Sequence, residues 1–159
     1  MGEGGTGTDA GGFVVSKTFT LGEAQTLLPV LESLMKRAQT AGAKAGAAEL
    51  EMQQLSHRIF LSGGLRVDVP AAARRRAERE KAVQEAKDTV AEIAAIGVGV
   101  DDVEDGMLDF PCVLDGQTVL LCWRMGETAI AHWHTTEESA AERKPLDGRF
   151  LRLERERYN

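Results

Sequence analysis

The sequence predicts an α+β protein in which a long antiparallel helical hairpin is followed by a small antiparallel β-meander. Two observations carry this prediction. Apolar residues recur at three- and four-residue spacing from Ala24 to Ile96, which is typical of helices with one buried face. After Gly97 the pattern changes to short apolar runs separated by turn residues, which is typical of β-strands.

The 159 residues fall into four predicted segments. Residues 1–16 are rich in glycine and are expected to be a disordered leader, because such a segment loses much backbone entropy on ordering. Residues 17–97 form the helical hairpin and residues 98–146 the β-meander. Residues 147–159 are a charged tail that is compatible with a short helix or a short strand.

The first helix is predicted to begin at Thr20, because Thr20 and Glu23 have the spacing of a capping box. Pro29 lies about two turns further on and is expected either to kink this helix or to begin a second one. The run of alanine and glycine over residues 40–48 weakens the helical pattern. Ser62-Gly63-Gly64 is expected to end the helical stretch.

The second helix is predicted to follow Asp68 and Val69, with Pro70 at its first position, and to end before Gly97. Its apolar residues follow heptad-like spacing, which is typical of a coiled coil. Two helices alone bury little apolar surface, so a sheet or a second copy of the chain is needed to cover them. We therefore expect a homodimer.

Three strands are predicted, over Asp109–Leu114, Thr118–Trp123 and Ala129–His134. Asp115-Gly116 favours a type I′ turn between the first two strands. Met125-Gly126-Glu127 marks the second turn. Pro111 is expected on an edge strand or at a bulge, because proline lacks the amide hydrogen that a ladder needs.

The composition argues against several classes of protein. A formal net charge of −6 argues against a general nucleic-acid binder, and the arginines at 74–76 lie among acidic residues as on an ordinary solvated helix face. No uncharged apolar run approaches the roughly 18 residues of a membrane span. The N-terminus lacks the features of a secretory signal. Two cysteines do not suggest a disulfide framework, so a reducing cytoplasm is expected.

Cysteine and histidine side chains around the second and third strands suggest a metal site. His132 and His134 lie on one face of their strand because side chains alternate. Together with Cys122 they would form an open zinc site. A fourth ligand oxygen is available from an acidic residue: Glu127, Glu137 or Glu138. We favour the other interpretation, in which Cys122 is a small core residue, as is usual in an apolar strand; the metal site is the alternative.

The register of the last hairpin decides between these interpretations of Cys122. With a loop of three residues, Leu120 pairs with His132, and Cys122 shares the face of both histidines. With a loop of two residues the register shifts by one, and Cys122 faces the other side together with Trp133. Only the first register allows the Cys-His-His set.

The sequence contains no recognised catalytic signature, such as a phosphate-binding loop or a nucleophile elbow. Residues 98–139 hold nine acidic side chains and one basic one, and this negative surrounding opposes a nucleophilic cysteine. A non-enzymatic role is therefore expected.

Several strings of residues have a familiar pattern. They are Phe19-Thr20-Leu21-x-Glu23-Ala24-x-x-Leu27-Leu28-Pro29, Gly97-Val98-x-Val100, Gly106-x-Leu108-Asp109-Phe110-Pro111, Leu121-Cys122-Trp123-Arg124-x-Gly126-Glu127, Ile130-x-x-Trp133-His134 and Arg143-x-Pro145-Leu146. The chain resembles, over roughly residues 19–146, a bacterial family of short proteins that forms a domain of unknown function. The resemblance implies a cytoplasmic bacterial protein, loosely labelled cell-division-related, without an activity, substrate or cofactor.

Eight residues fall on these motif positions, where a common site of the family would lie: Asp109, Cys122, Trp123, Arg124, Glu127, Trp133, His134 and Arg143. We interpret the chain as a protein-interaction or scaffolding module. Its partner-binding surface is predicted at Trp123, Arg124, Trp133 and Arg143, and its partners are a second copy and an unknown protein. The alternative is a metal-binding protein or metal-dependent enzyme centred on Cys122 and His134.

Overall fold

The computed structural model describes residue 15, residues 17–63 and residues 68–157, with side chains up to residue 154. The predicted disordered leader lies outside the described residues, except for residue 15. The chain divides into two compact units. One comprises Met1–Ser33 together with Glu92–Asn159, and the other comprises Leu34–Ala91.

The predicted α+β class is confirmed. Helices α1 (Leu21–Leu61) and α2 (Val69–Ile96) form a hairpin, and a five-stranded antiparallel sheet follows it. A third helix, α3 (Gly148–Arg157), follows the sheet.

Helix α1 begins with the predicted cap, in which the amide of Glu23 donates to the hydroxyl of Thr20 at 3.1 Å. The helix runs without a break through Pro29, so Pro29 does not begin a second helix. The helix ends at Leu61, and Gly63 has a φ of +69°. This left-handed conformation is the usual one just after a helix and favours glycine.

Helix α2 begins one residue earlier than predicted, at Val69. The carboxylate of Asp68 accepts a hydrogen bond from the amide of Ala71 at 3.1 Å, which makes Asp68 the N-cap and places Pro70 second in the helix. The helix ends at Ile96, before Gly97.

Two ion pairs link the helices within the unit Leu34–Ala91. Arg79 Nη1 lies 2.6 Å from Glu49 Oε2, and Arg75 Nε lies 3.8 Å from Glu51 Oε2. Glu49 precedes Glu51 in α1, but its partner Arg79 follows Arg75 in α2. The two helices therefore run antiparallel. These pairs are partly exposed, so each stabilises the hairpin by at most about 1 kcal/mol.

The sheet has the strand order β1-β2-β3-β4-β5. The strands are β1 (Gly99–Asp102), β2 (Met107–Leu114), β3 (Gln117–Arg124), β4 (His132–Thr135) and β5 (Lys144–Pro145). The predicted meander of three strands is therefore incomplete. Strands β1 and β5 are short and lack an alternating apolar pattern, which is why the sequence did not indicate them. Strand β4 begins at His132 and not at Ala129.

The turn between β2 and β3 is as predicted. Asp115 and Gly116 have φ values of 51° and 79°, and a type I′ turn requires a positive φ at both central residues. Pro111 lies in β2 beyond the residues that β1 pairs with. Its carbonyl accepts a hydrogen bond from the amide of Phe19 at 2.7 Å. The proline nitrogen points to this same side, so no bond of the β2–β3 ladder is lost.

One face of the sheet carries the apolar core of its unit. Side chains alternate along the strands, and the buried core residues on this face include Leu108, Phe110, Leu121, Trp123 and Trp133. Phe19 packs edge-on against Phe110, with ring centroids 5.9 Å apart. Phe150 of α3 packs against Trp133 at 5.4 Å. The core therefore takes aromatic residues from both ends of the chain.

Helix α3 also contacts the beginning of α1. Glu154 Oε1 accepts a hydrogen bond from the amide of Gly22 at 2.8 Å, where a carboxylate satisfies a helix N-terminal amide and its partial positive charge. Among the described residues, none of the helices is long and apolar enough to span a membrane.

Candidate functional site

A row of polar side chains crosses the sheet on the face opposite this apolar core. Asp109 on β2 pairs with Cys122 on β3, and Cys122 pairs with His132 on β4. His134 lies two residues further along β4, so the alternation of side chains places it on the same face. The register thus brings four chemically reactive side chains together from three strands.

The observed β3–β4 register decides whether Cys122 lies on the same face as the two histidines. Leu120 pairs with His134 and not with His132, because the connection between β3 and β4 is seven residues long. The shift relative to the expected pair is two residues, and an even shift keeps every side chain on its face. Cys122 therefore shares a face with both histidines, while Trp133 lies on the other.

The centre of the row is a buried group of three residues. His134 Nε2 lies 2.9 Å from Asp109 Oδ1, and His134 Nδ1 lies 2.8 Å from the carbonyl oxygen of Thr135. The sulfur of Cys122 lies within 4.8 Å of both other donor atoms. Asp109, Cys122 and His134 are 6%, 0% and 2% exposed. We call these three residues the buried centre.

The buried centre holds His134 as an imidazolium. Burial by itself would lower the pKa of His134, but contacts with Asp109 and Cys122 outweigh it and raise this pKa to about 11. Since a carbonyl oxygen and a carboxylate only accept, both ring nitrogens donate hydrogen bonds. The arrangement is therefore a His134–Asp109 ion pair with the sulfur of Cys122 beside it.

This geometry does not match a cysteine nucleophile with a histidine base. Both nitrogens of His134 already donate, to Asp109 and Thr135, so neither is available to take a proton from Cys122. The sulfur is also fully buried, so a substrate has no direct access to it.

The structure places the predicted metal ligands in two separate groups. Cys122 and His134 belong to the buried centre, and Asp109, which was not among the expected ligands, joins them. His132 lies outside this group, with its Nδ1 3.4 Å from Glu127 Oε2. The sequence feature that could have indicated Asp109 as a site residue is its charge in an otherwise apolar strand. Its partner His134 could not be deduced without the strand register.

Glu127 and Arg143 form a second layer next to the buried centre. Arg143 Nη1 donates to Glu127 Oε1 at 2.9 Å, and the same oxygen accepts the amide of Arg124 at 2.7 Å. Burial would raise the pKa of Glu127, but these hydrogen bonds lower it. The hydrogen bond with Glu127 raises the pKa of Arg143, and the sulfur of Cys122 adds to the rise. The Glu127–Arg143 ion pair is only about one quarter exposed or less, at 25% and 20%.

A solvent-open cleft of about 480 Å³ lies on this side of the unit. Acidic and basic side chains line it together with small and apolar ones: Asp101, Asp102, Asp105, Met107, Arg124, His132, Ala140, Ala141 and Arg143. Arg124 Nη2 lies 3.4 Å from Asp105 Oδ1. The buried centre is not part of the lining, but His132, which pairs with Cys122 across β3 and β4, is part of it.

The predicted partner-binding residues lie in two different places. Trp123 and Trp133 are 2% and 7% exposed and belong to the apolar face. Trp123 Nε1 donates to the carbonyl of Glu127 at 3.0 Å. Both tryptophans are therefore buried in this structure, and their predicted role in partner binding stays a prediction. Arg124 and Arg143 line the cleft and remain candidates.

A comparison with protein families identifies the chain. A family model described as an uncharacterised conserved protein, DUF2203, matches residues 17–146. The chain belongs to the DUF2203 family. No curated protein and no solved structure matches it significantly.

The structure sorts the motif residues of this DUF2203 protein into two groups. Six of them are polar. His134 pairs with Asp109, and the Cys122 sulfur lies within 4.8 Å of both ligand atoms. Glu127 accepts hydrogen bonds from Arg143 and from the amide of Arg124. The two tryptophans lie on the opposite face of the same strands. One group therefore builds a polar site, and the other builds the core beneath it.

Proposed function

We propose that this DUF2203 protein is a non-enzymatic interaction module that forms a homodimer through its helical hairpin. The observation that carries the proposal is a set of large apolar side chains left exposed on the part of the hairpin within the unit Leu34–Ala91. They are Leu50, Phe60, Leu61 and Val69, with exposed fractions of 56%, 80%, 69% and 65%. Exposed apolar side chains that cluster on one part of a protein mark interaction surfaces.

Three of these side chains lie at the two helix ends that the connection between α1 and α2 joins. Phe60 and Leu61 are the last residues of α1, and Val69 is the first residue of α2. A pair of helices this narrow cannot cover such residues itself, since a helix buries its apolar face only against another element. Coiled-coil packing along the hairpin remains a prediction.

Charge complementarity favours a second copy of the chain as the occupant of this surface. The unit Leu34–Ala91 holds 11 basic and 7 acidic residues and carries +4, whereas the rest of the chain carries −10. Opposite charges on two parts of one chain attract two copies in an antiparallel arrangement, which a two-fold axis closes into a dimer.

The test is the molar mass of the full chain, measured by light scattering during size exclusion over a range of concentrations. We expect a dimer for the wild type and a shift to monomer for the double variant Phe60→Ser/Leu61→Ser. The matched control is Leu151→Ser in α3, because Leu151 is 60% exposed but lies outside the hairpin. A wild type that stays monomeric at every concentration would refute the proposal, as would a dimer that the double variant leaves intact.

We further propose that the protein works in the bacterial cytoplasm. Both cysteines are free thiols, as is usual in reducing compartments, and the family resemblance implies a bacterial source. A fluorescent fusion in the native host should fill the cytoplasm evenly. Export of the fusion, or its recovery from the cell surface, would contradict this placement.

A further inference from the structure

The buried centre brings three different metal-binding groups to one point. Asp109 comes from β2, Cys122 from β3 and His134 from β4, and their donor atoms all lie within 4.8 Å of one another. Each residue is more than nine-tenths buried. We propose that these three residues bind one divalent transition-metal ion, with zinc as the best match, and that Asp109 is the ligand in place of His132 and Glu127.

The donor chemistry selects the class of metal. A thiolate, an imidazole and a carboxylate are the three side chains that zinc uses in proteins. Calcium and magnesium take oxygen ligands almost exclusively, so a site with one sulfur and one nitrogen disfavours them. Three protein ligands also leave one tetrahedral position for a water molecule or another ligand.

The orientation of His134 matches that of a metal ligand. Its Nδ1 donates to the carbonyl of Thr135 at 2.8 Å, which directs Nε2 toward Asp109 and Cys122. Histidine ligands usually donate their second ring nitrogen to a carbonyl or carboxylate, because this bond holds the ring in the binding tautomer. Outside the three residues, Glu127 pairs with Arg143, whose Nη1 lies 2.9 Å from Glu127 Oε1.

The distances between the donor atoms and the charges of the three residues allow a metal ion to take the place of protons in the buried centre. Metal–ligand bonds of about 2.0–2.3 Å place tetrahedral ligand atoms about 3.4 Å apart, and the atoms His134 Nε2 and Asp109 Oδ1 are now 2.9 Å apart. Small side-chain rotations therefore open the site. A divalent ion bound by one carboxylate, one thiolate and one neutral imidazole forms a set with no net charge, so the bound site buries no uncompensated charge.

The experiment uses the full chain, stripped with a chelator, dialysed and titrated with Zn²⁺ and separately with Co²⁺. We expect one equivalent of either ion, and a sulfur-to-cobalt charge-transfer absorption band. Asp109→Asn and Cys122→Ser should weaken Zn²⁺ binding by more than about 100-fold, since loss of an outer-shell partner alone costs 10–100-fold. Cys122→Ser should also abolish the absorption band.

Two variants serve as matched controls. Cys112→Ser removes the other buried cysteine, which lies on the opposite sheet face and whose thiol pKa burial raises to about 11. His132→Ala removes a ligand of the alternative set. Both should retain the affinity of the wild type, with folding of each variant checked by circular dichroism.

Failure of the wild type to bind Zn²⁺ or Co²⁺ stoichiometrically overturns the proposal, and this outcome does not depend on how any variant folds. Binding that His132→Ala abolishes and Asp109→Asn leaves unchanged also overturns it, because the ligand set would then be the other one.

Discussion

His134 and Asp109 form an ion pair between strands that are not neighbours, since β3 lies between β2 and β4. The two charged atoms are 2.9 Å apart, and the side chains are 3% and 9% exposed. The pair therefore connects the two strands that flank Cys122. A buried ion pair contributes little net stability when both partners are present, but loss of one partner leaves an uncompensated charge in the interior.

We expect Asp109→Asn to lower the free energy of unfolding of the metal-free protein by about 3–5 kcal/mol, because the His134 imidazolium then lacks its counter-charge. Urea unfolding at neutral pH measures this change. Asp115→Asn is the control, since Asp115 is 67% exposed and its ion pair lies at the surface; it should change stability by less than about 0.5 kcal/mol. Equal effects of the two substitutions would contradict the buried ion pair.

The acid stability of the protein should depend on Glu127. Its pKa is lowered from 4.5 in the folded state, so the unfolded chain binds a proton at higher pH than the folded one. This carboxylate therefore stabilises the fold above about pH 4.5, and the contribution is lost as the pH falls through the lower, folded-state pKa. Glu127→Gln should flatten the dependence of unfolding free energy on pH between about pH 3 and pH 5.

Substitution of Arg143, the ion-pair partner of Glu127, tests whether Glu127 controls the acid stability. Arg143→Gln should flatten the same part of the profile, because the hydrogen bond from Arg143 is the main cause that lowers the pKa of Glu127. If both variants keep the slope of the wild type, Glu127 does not control acid stability.

The packing of helix α3 against the core should depend on one side chain, that of Phe150. Phe150 is 2% exposed and packs against Trp133, so Phe150→Ala should destabilise the protein by about 3–5 kcal/mol. Tryptophan fluorescence during urea unfolding reports the change directly. Leu151→Ala is the adjacent control, because Leu151 is 60% exposed; a large effect at Leu151 would place the wrong face of α3 in the core.

Two glycine-to-alanine substitutions should have opposite signs. Gly97 has a φ of +103°, and an added Cβ would lie 3.2 Å from Lys17 Cβ, so Gly97→Ala should destabilise the protein by about 1–3 kcal/mol. Gly46 lies inside α1 with nothing within 4 Å of an added Cβ, so Gly46→Ala should stabilise it by about 0.5–1 kcal/mol. Thermal unfolding distinguishes the two, and a stabilising Gly97→Ala would contradict the observed conformation.

The sequence by itself determined the features that depend on near neighbours. The cap at Thr20, the stop at Gly97 and the turn at Asp115-Gly116 each rest on hydrogen bonds or backbone angles within about four residues. The hydrophobic period separated the helical part from the sheet for a similar reason, since it reflects which face of each element is buried. These local signals sufficed for the fold class and most helix ends.

Only the tertiary structure decided how distant residues meet. Asp109 and His134 are 25 residues apart, and their contact depends on the β3–β4 register, which a loop of unforeseen length sets. Strands β1 and β5 form because long-range pairing compensates for their weak local patterns. Trp123 and Trp133 lie in the core because the sheet packs through their face, and no local pattern specifies which face that is. Burial and charge pairing across strands belong to the assembled fold.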